Sequence, residues 1–329
     1  MSKDSLLAVR DLAIDVEVPH GDAGLVRGVT FTIGKGESLG LVGESGSGKS
    51  LTCMALGGLL PSGVRVTGGR IMLGDRDLTR LTERQLRAVR GSRIGFVFQD
   101  PSGALDPLFP VGRQLAEVIR AHGDVGRAQA KRAALAIMDE LEIPAAAQRF
   151  DAYPHELSGG MKQRICIGMA LASDPDLLVA DEPTTALDVT TEKAILALIS
   201  RLRAERGLAL LLVTHSLPVA AMMTSQLCVM YAGEVVERGD VEAVLRDPGH
   251  PYTEALAESA RSLETSRDGY LTGIPGIVPS RVVRADHCLF APRCRYAIQE
   301  CHETHPRPVT TPAGAAACLR TGRAKAGAA

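Results

Sequence analysis

Eight consecutive residues, Gly43-Glu44-Ser45-Gly46-Ser47-Gly48-Lys49-Ser50, follow the spacing G-x-x-x-x-G-K-[ST]. The glycines let backbone N–H groups turn inward around phosphate oxygens, and a helix starting here adds the partial positive charge of its N-terminus. In such a loop Lys49 reaches the β- and γ-phosphates of a nucleotide and the Ser50 hydroxyl ligates Mg2+. The other reading is an ordinary glycine-rich turn. It does not account for the short apolar run before the loop, Ser38–Val42, or the helical pattern after it, Ser50–Leu60.

Leu177-Leu-Val-Ala-Asp181-Glu182 is an apolar run ending in two acids. Such a strand delivers Asp181 to the C-terminal edge of a sheet, where open α/β sheets bind ligands. Asp181 would hold Mg2+ through water, and Glu182 is suited to polarise an attacking water. Taken alone the run is a common strand end with solvated acids; beside Gly43–Ser50 the chemical reading is favoured. Leu157-Ser158-Gly159-Gly160-Met161-Lys162-Gln163-Arg164 opens a further helix, Met161–Ala172, with Ser158 as its N-cap. On its own this is either a capped helix or a second surface turned towards phosphate.

The elements that must position these residues follow from hydropathy. Leu12, Ile14, Val16 and Val18 alternate with polar residues, a glycine-rich turn spans His20–Gly24, and Val26–Ile33 is a second extended run, which predicts a small antiparallel sheet at the N-terminus. Short apolar runs at Ile94–Phe98, Leu177–Ala180 and Leu208–Val213 each neighbour a helical pattern. In the helix after Asp188, Ala194, Ile195, Leu198, Ile199 and Leu202 form one apolar stripe. Apolar strands alternating with amphipathic helices predict a parallel sheet covered on both faces. Between Pro101 and Pro154 only helical periodicity remains (Val111–Ala121, Arg127–Leu141), which predicts an all-helical insertion. Past Pro248 the composition turns to Pro, Cys, His and Arg, and Gly322–Ala329 has the character of a frayed tail.

The chain has 329 residues, with 37 Lys and Arg against 38 Asp and Glu, so no global positive field would hold a nucleic-acid backbone. Aromatic residues are 3% and Trp is absent, which argues against a base-stacking surface. No apolar run approaches the ~20 residues that cross a bilayer. Lys3, Asp4 and Arg10 interrupt any signal-peptide core, so a cytoplasmic location is expected, with membrane contact made through a partner. The seven Cys are then reduced thiols or metal ligands.

Together these segments, from Leu6 to about Ala317, resemble the nucleotide-binding subunits of ABC transporters. Gly43–Ser50, continuing into Leu51, looks like the Walker A loop, and Leu177–Glu182 like Walker B. Leu157–Gln163 resembles the signature sequence of ABC ATPases. Gln99 looks like the Q-loop glutamine, Ala186-Leu187-Asp188 like the D-loop and His215 like the switch histidine. The resemblance implies a P-loop ATPase fold with a RecA-like core in which two subunits pack head to tail. Each ATP would lie between the Walker loops of one subunit and the signature of the other. Ser158, Gly159, Gly160 and Asp188 would then serve a nucleotide held by the second ATPase, which is either a related chain or a copy. Gln99 would join Ser50 and Asp181 at Mg2+, and His215 would hold the γ-phosphate and attacking water with Glu182. The helical insertion, about residues 101–157, would receive a membrane-spanning subunit. The family usually stacks adenine on an aromatic residue near the N-terminal strands. Here Val16, Val18 or His20 is the substitute.

His250-Pro251-Tyr252-Thr253, Ile274–Pro279 and a Cys-rich tail narrow the resemblance to the ATPases of oligopeptide, dipeptide and nickel importers. Gln99-Asp100-Pro101 with Ala104-Leu105-Asp106-Pro107 points the same way. This implies an ATPase domain over 1–248 and a C-terminal extension over 249–329. It further implies two permease subunits, an extracytoplasmic solute-binding protein, and a peripheral place on the cytoplasmic face of the plasma membrane. Peptides are the leading cargo, ahead of nickel chelates or another small solute; a soluble ABC ATPase outside transport is the more distant alternative. Cys288, Cys294, Cys301 and Cys318 have spacing C-x5-C-x6-C-x16-C, which by itself selects no metal. Similar tails imply a [4Fe-4S] cluster on these four; the alternatives are Zn2+, drawing on His287, His302 or His305, and four unligated thiols. Cys53, Cys166 and Cys228 fall in apolar segments and are expected in the core.

Overall fold

The computed structural model describes residues 5–19, 21–265, 273–279 and 286–321. His20 and Gly322–Ala329 lie outside the described residues. The chain begins with β1 (Ser5–Val18), β2 (Gly21–Gly34), β3 (Ser38–Val42), α1 (Lys49–Gly57), β4 (Val64–Leu73), β5 (Arg76–Asp77), α2 (Glu83–Val89) and β6 (Ile94–Val97). Helices alone follow: α3 (Pro101–Ala104), α4 (Val111–His122), α5 (Arg127–Glu140), α6 (Ala146–Arg149) and α7 (Gly159–Leu171). Then come β7 (Leu177–Asp181), α8 (Val189–Arg206), β8 (Ala209–Thr214), α9 (Leu217–Met223), β9 (Gln226–Tyr231) and β10 (Glu234–Asp240). The chain closes with α10 (Val241–Arg246), α11 (Pro251–Thr265), β11 (Val309–Thr311) and β12 (Gly314–Ala316).

Two compact units divide the chain. One comprises Met1–Ile33, Ser38–Arg80 and Leu212–Ala329, the other Gly34–Glu37 and Leu81–Leu211. The first unit holds an antiparallel sheet in the order β2-β1-β4-β5, in which Leu12 and Ile14 of β1 are fully buried. β2 begins already at Gly21, so Gly21–Gly24, expected in the turn, belong to the strand. The same unit holds strands in the order β11-β12-β10-β9-β3. Here β3 and β9 run parallel, whereas β9–β10, β10–β12 and β11–β12 are antiparallel. The parallel sheet predicted from the apolar runs is therefore corrected to a mixed one. The reason is local: Ala232 (φ 47°) and Gly233 (φ 87°) make a two-residue turn with positive φ at both positions, which can join only antiparallel neighbours.

In the second unit β6 and β7 pair in parallel, with Ile94 opposite Leu177 and Val97 opposite Ala180. All five residues of β7 are buried, the pattern of a strand covered on both faces. The helix α8 starts at the Asp188 N-cap and stops at Gly207 (φ 63°), and it buries Ile195, Leu196, Leu198, Ile199 and Leu202. Between β6 and β7 the ordered elements are helical, as the periodicity of 101–154 predicts.

Candidate nucleotide site

The Gly43–Ser50 loop leaves β3 at Val42. A Cβ at Gly43 would stand 2.2 Å from the Met230 carbonyl oxygen, so only glycine permits this approach to β9. Gly48, with φ 96°, is the N-cap of α1 and supplies no side-chain cap. The N-terminal end of α1 carries a partial positive charge, which suits the approach of an anion. Lys49 is 4% exposed. Its Nζ donates to the carbonyl oxygens of Gly43 (2.7 Å) and Glu44 (2.8 Å) and to Ser47 Oγ (3.4 Å), which fixes a cation within the loop. Ser50 and Leu51 are half-buried beside it, and Ser45 and Gly46 are exposed. His215 belongs to the same unit and follows β8 at an exposed position. Val16 and Val18, the aliphatic candidates for a base contact, are half-buried on β1.

The second unit brings Gln99 and Glu182 together. Gln99 Nε2 donates to Glu182 Oε2 at 3.1 Å, and Thr185 Oγ1 donates to the same oxygen at 2.9 Å. Glu182 has φ 46°, a left-handed conformation that costs an ordinary residue roughly 1–2 kcal/mol and that recurs at functional sites. Two donors and a constrained backbone therefore orient this carboxylate. Asp181, the last residue of β7, is 5% exposed. Thr185 is a residue that sequence reasoning missed; a Thr three positions after a candidate base was the available signal.

In the same unit Ser158 caps α7, its Oγ accepting from Met161 N at 3.3 Å. A Cβ on Gly160 would stand 2.5 Å from Thr191 Cγ2, so the start of α7 lies against the first turn of α8. Asp188 accepts from the N–H groups of Thr190 and Thr191, 3.0 Å each, and from Thr191 Oγ1 at 2.7 Å. The Thr191 N–H and then its hydroxyl hold the Asp188 carboxyl below its ordinary range.

The four tail cysteines, Cys288, Cys294, Cys301 and Cys318, line one pocket in the first unit together with His250, Phe290 and Tyr296. His287, His302 and His305 do not line it; His305 Nε2 lies 2.9 Å from Glu234 Oε2. Among the described residues no group of three or more His, Cys, Asp or Glu is arranged to hold a metal ion. Burial pushes the Cys288 thiol up to about 11. Cys53, Cys166 and Cys228 are buried, and burial pushes the latter two up to about 12. Sequence reasoning also missed Arg293, whose guanidinium reaches Glu44 of the phosphate loop. An arginine in a segment of weak periodicity carries no signal that it is 5% exposed.

Residues 26–185 match the protein family described as ABC transporter, and residues 236–301 match the oligopeptide/dipeptide transporter C-terminal region. The chain is 45% identical to a probable peptide ABC transporter ATP-binding protein of Sinorhizobium fredii, over 97% of this chain and 96% of that one. The chain belongs to the ATP-binding proteins of ABC transporters. It is 40% identical to the oligopeptide transport ATP-binding protein OppD of Escherichia coli, over 96% of this chain and 94% of the relative. Among solved structures, the ATP-binding cassette MJ0796, a dimer in a post-hydrolysis state bound to ADP and Pi, aligns with TM-score 0.64 at 27% identity, covering 71% of this chain and 98% of that one. As an ABC ATPase, the chain hydrolyses ATP in the service of transport. No helix among the described residues is long and apolar enough to cross a membrane.

Proposed function

We propose that this chain binds and hydrolyses ATP to drive import of di- or oligopeptides, as one of two ATPase subunits docked on two permease subunits at the cytoplasmic face of the plasma membrane. The observation that carries this reading is the oligopeptide/dipeptide transporter C-terminal region following an ABC ATPase segment in one chain. The names of the peptide-transport relatives support it. An ATPase domain over 1–248 would then carry the extension 249–329, with the helical insertion, about 101–157, as the docking element for a permease.

In this reading the Gly43–Leu51 loop encloses the phosphates and Lys49 contacts the β- and γ-phosphates. Ser50, Asp181 and Gln99 hold Mg2+, which neutralises phosphate charge. Glu182 takes the proton of the attacking water, and His215 holds that water and the γ-phosphate. Ser158, Gly159, Gly160 and Asp188 serve a nucleotide held by the second ATPase in a head-to-tail dimer, and an extracytoplasmic solute-binding protein selects cargo. Cys288, Cys294, Cys301 and Cys318 gather in one pocket that His250 also lines, and this grouping of four thiols supports the [4Fe-4S] reading although they are not arranged to hold a metal ion here. A [4Fe-4S] cluster there would supply a cross-link for a loop-rich segment.

Purification of the tagged full chain from native membranes under anaerobic conditions, with mass spectrometry of its partners, tests the proposal. Two polytopic subunits, a second ATPase and a solute-binding protein are expected, and the binding protein then separates peptide from nickel-chelate cargo. Recovery of the chain alone, or with nucleic acid, would overturn the transport reading. Metal analysis of the same preparation should give about four irons per chain; a colourless protein with one zinc removes the cluster.

A further inference from the structure

The second residue of the phosphate loop is held at both its main chain and its side chain by segments that follow Pro248. The Arg293 guanidinium donates from Nη1 to Glu44 Oε2 at 2.8 Å and from Nη2 to Glu44 Oε1 at 3.0 Å, a bidentate pair across 249 positions of sequence. Arg293 is itself caged. Its Nε donates to Pro275 O (2.7 Å), its Nη2 to Ile274 O (3.1 Å) and its Nη1 to the Tyr231 hydroxyl (3.4 Å). The carbonyls of Ile274 and Pro275 thus have a specific task in the Ile274–Pro279 segment. The Glu44 N–H donates to the Tyr252 hydroxyl at 2.8 Å. Tyr252 packs with Tyr231 and Phe290 at ring separations of 4.7 and 5.4 Å, so its hydroxyl is aimed from a fully buried ring.

Two physical consequences follow. A glycine-rich loop loses much conformational freedom when it closes on phosphate, and a loop already fixed at one residue loses less. A carboxylate in such a loop also repels a triphosphate, and a bidentate arginine cancels that charge where it arises. Glu44 without Arg293 would work against the nucleotide; with Arg293 it is an anchor.

We infer that Arg293, assisted by Tyr252, is a positioning residue for the phosphate loop: it holds and neutralises Glu44 so that the loop is preformed for MgATP. The inference rests on Gly43–Ser50 being the nucleotide loop, a premise that Lys49→Ala tests separately.

The experiment is calorimetric titration of the purified full chain with MgATP, alongside steady-state ATPase kinetics. Arg293→Gln is expected to weaken binding about tenfold, raising KM for ATP with kcat changed less than about twofold, and Arg293→Lys to fall between it and the parent. The double variant Arg293→Gln/Glu44→Gln should bind no more weakly than Arg293→Gln alone, because it removes the carboxylate left without its partner. Tyr252→Phe deletes only the hydroxyl and should weaken binding several-fold with the ring packing retained, so the test survives even where Arg293→Gln does not fold. Affinity unchanged within twofold in Tyr252→Phe and in a folded Arg293→Gln would overturn the inference, as would losses at residues 44 and 293 that multiply. If Lys49→Ala itself binds MgATP normally, the premise about the loop fails instead.

Discussion

The molecule contains two glycine-rich helix starts, and they are built differently. At α1 the N-cap is Gly48, no side chain caps the helix, and a 4%-exposed lysine is folded into the loop. At α7 the N-cap is Ser158, whose own hydroxyl accepts from Met161 N, and Ser158 and Gly159 are exposed. A helix end that no side chain caps, beside a buried cation, suits an anion held by its own chain. A self-capped, exposed end with small residues suits a ligand held by a second subunit, as in the head-to-tail dimer proposed above. In the proposed function similar residue types thus serve two tasks, and the cap distinguishes them.

Variants can break or sharpen that contrast. The largest effect is expected from Glu182→Gln, which should lower ATP turnover at least about a hundredfold while MgATP affinity stays near the parental value; turnover at the parental rate would remove Glu182 as the base. In that silenced background the two helix starts can be compared by binding alone. Lys49→Ala should weaken MgATP binding by about a hundredfold, since it takes a buried, hydrogen-bonded charge out of the loop. Ser158→Ala should cost about 1 kcal/mol of stability through the lost cap, seen as a lower Tm. It should leave the affinity of the isolated chain within twofold and reduce turnover of the assembled ATPase about tenfold. If Ser158→Ala instead weakens binding as much as Lys49→Ala, the two starts do the same job and the contrast collapses.

The smallest effect concerns pH. His250 is fully buried, its Nδ1 accepts from Tyr252 N at 3.0 Å, and burial holds it down to about 3 from an ordinary 6.5. The folded chain keeps this imidazole neutral while the unfolded chain protonates it. Its contribution to stability is therefore complete above about pH 6.5 and is lost as pH falls towards about 3. Tm should fall across that window. In His250→Asn, whose side-chain oxygen can still accept from residue 252, the fall should be shallower; an unchanged slope would assign the acid sensitivity to another group.

Much of this was legible in the residues. The apolar runs marked β3, β6, β7 and β8 to within a residue or two, because a strand buried on both faces admits little else. The Ser158 cap was legible for the same kind of reason: its chemistry is local. The mixed sheet was not, since Ala232-Gly233 shows its meaning only once both residues adopt positive φ. Nor was the bond between Arg293 and Glu44, because the two lie 249 positions apart and the chain between them must fold before the pair exists. The glutamine donating to Glu182 was singled out by its resemblance to the family's Q-loop, whereas Thr185 on the same oxygen was hidden among ordinary loop residues.

The aromatic cluster of Tyr231, Tyr252 and Phe290 belongs to one buried core that also contains Val42, the residue before the phosphate loop. Ligand binding stabilises whatever must remain folded for the ligand to bind, by about 2.7 kcal/mol at a hundredfold excess over Kd. That free energy is not confined to the loop, because residues of β3, β9, α11 and the cysteine-bearing segment open together or not at all when they share a core. Amide protons near Cys288 and Phe290 should therefore exchange more slowly when nucleotide occupies a loop nearly 250 residues earlier in the chain. If the Gly43–Ser50 loop holds the nucleotide, the C-terminal segment is in thermodynamic terms part of its receptor.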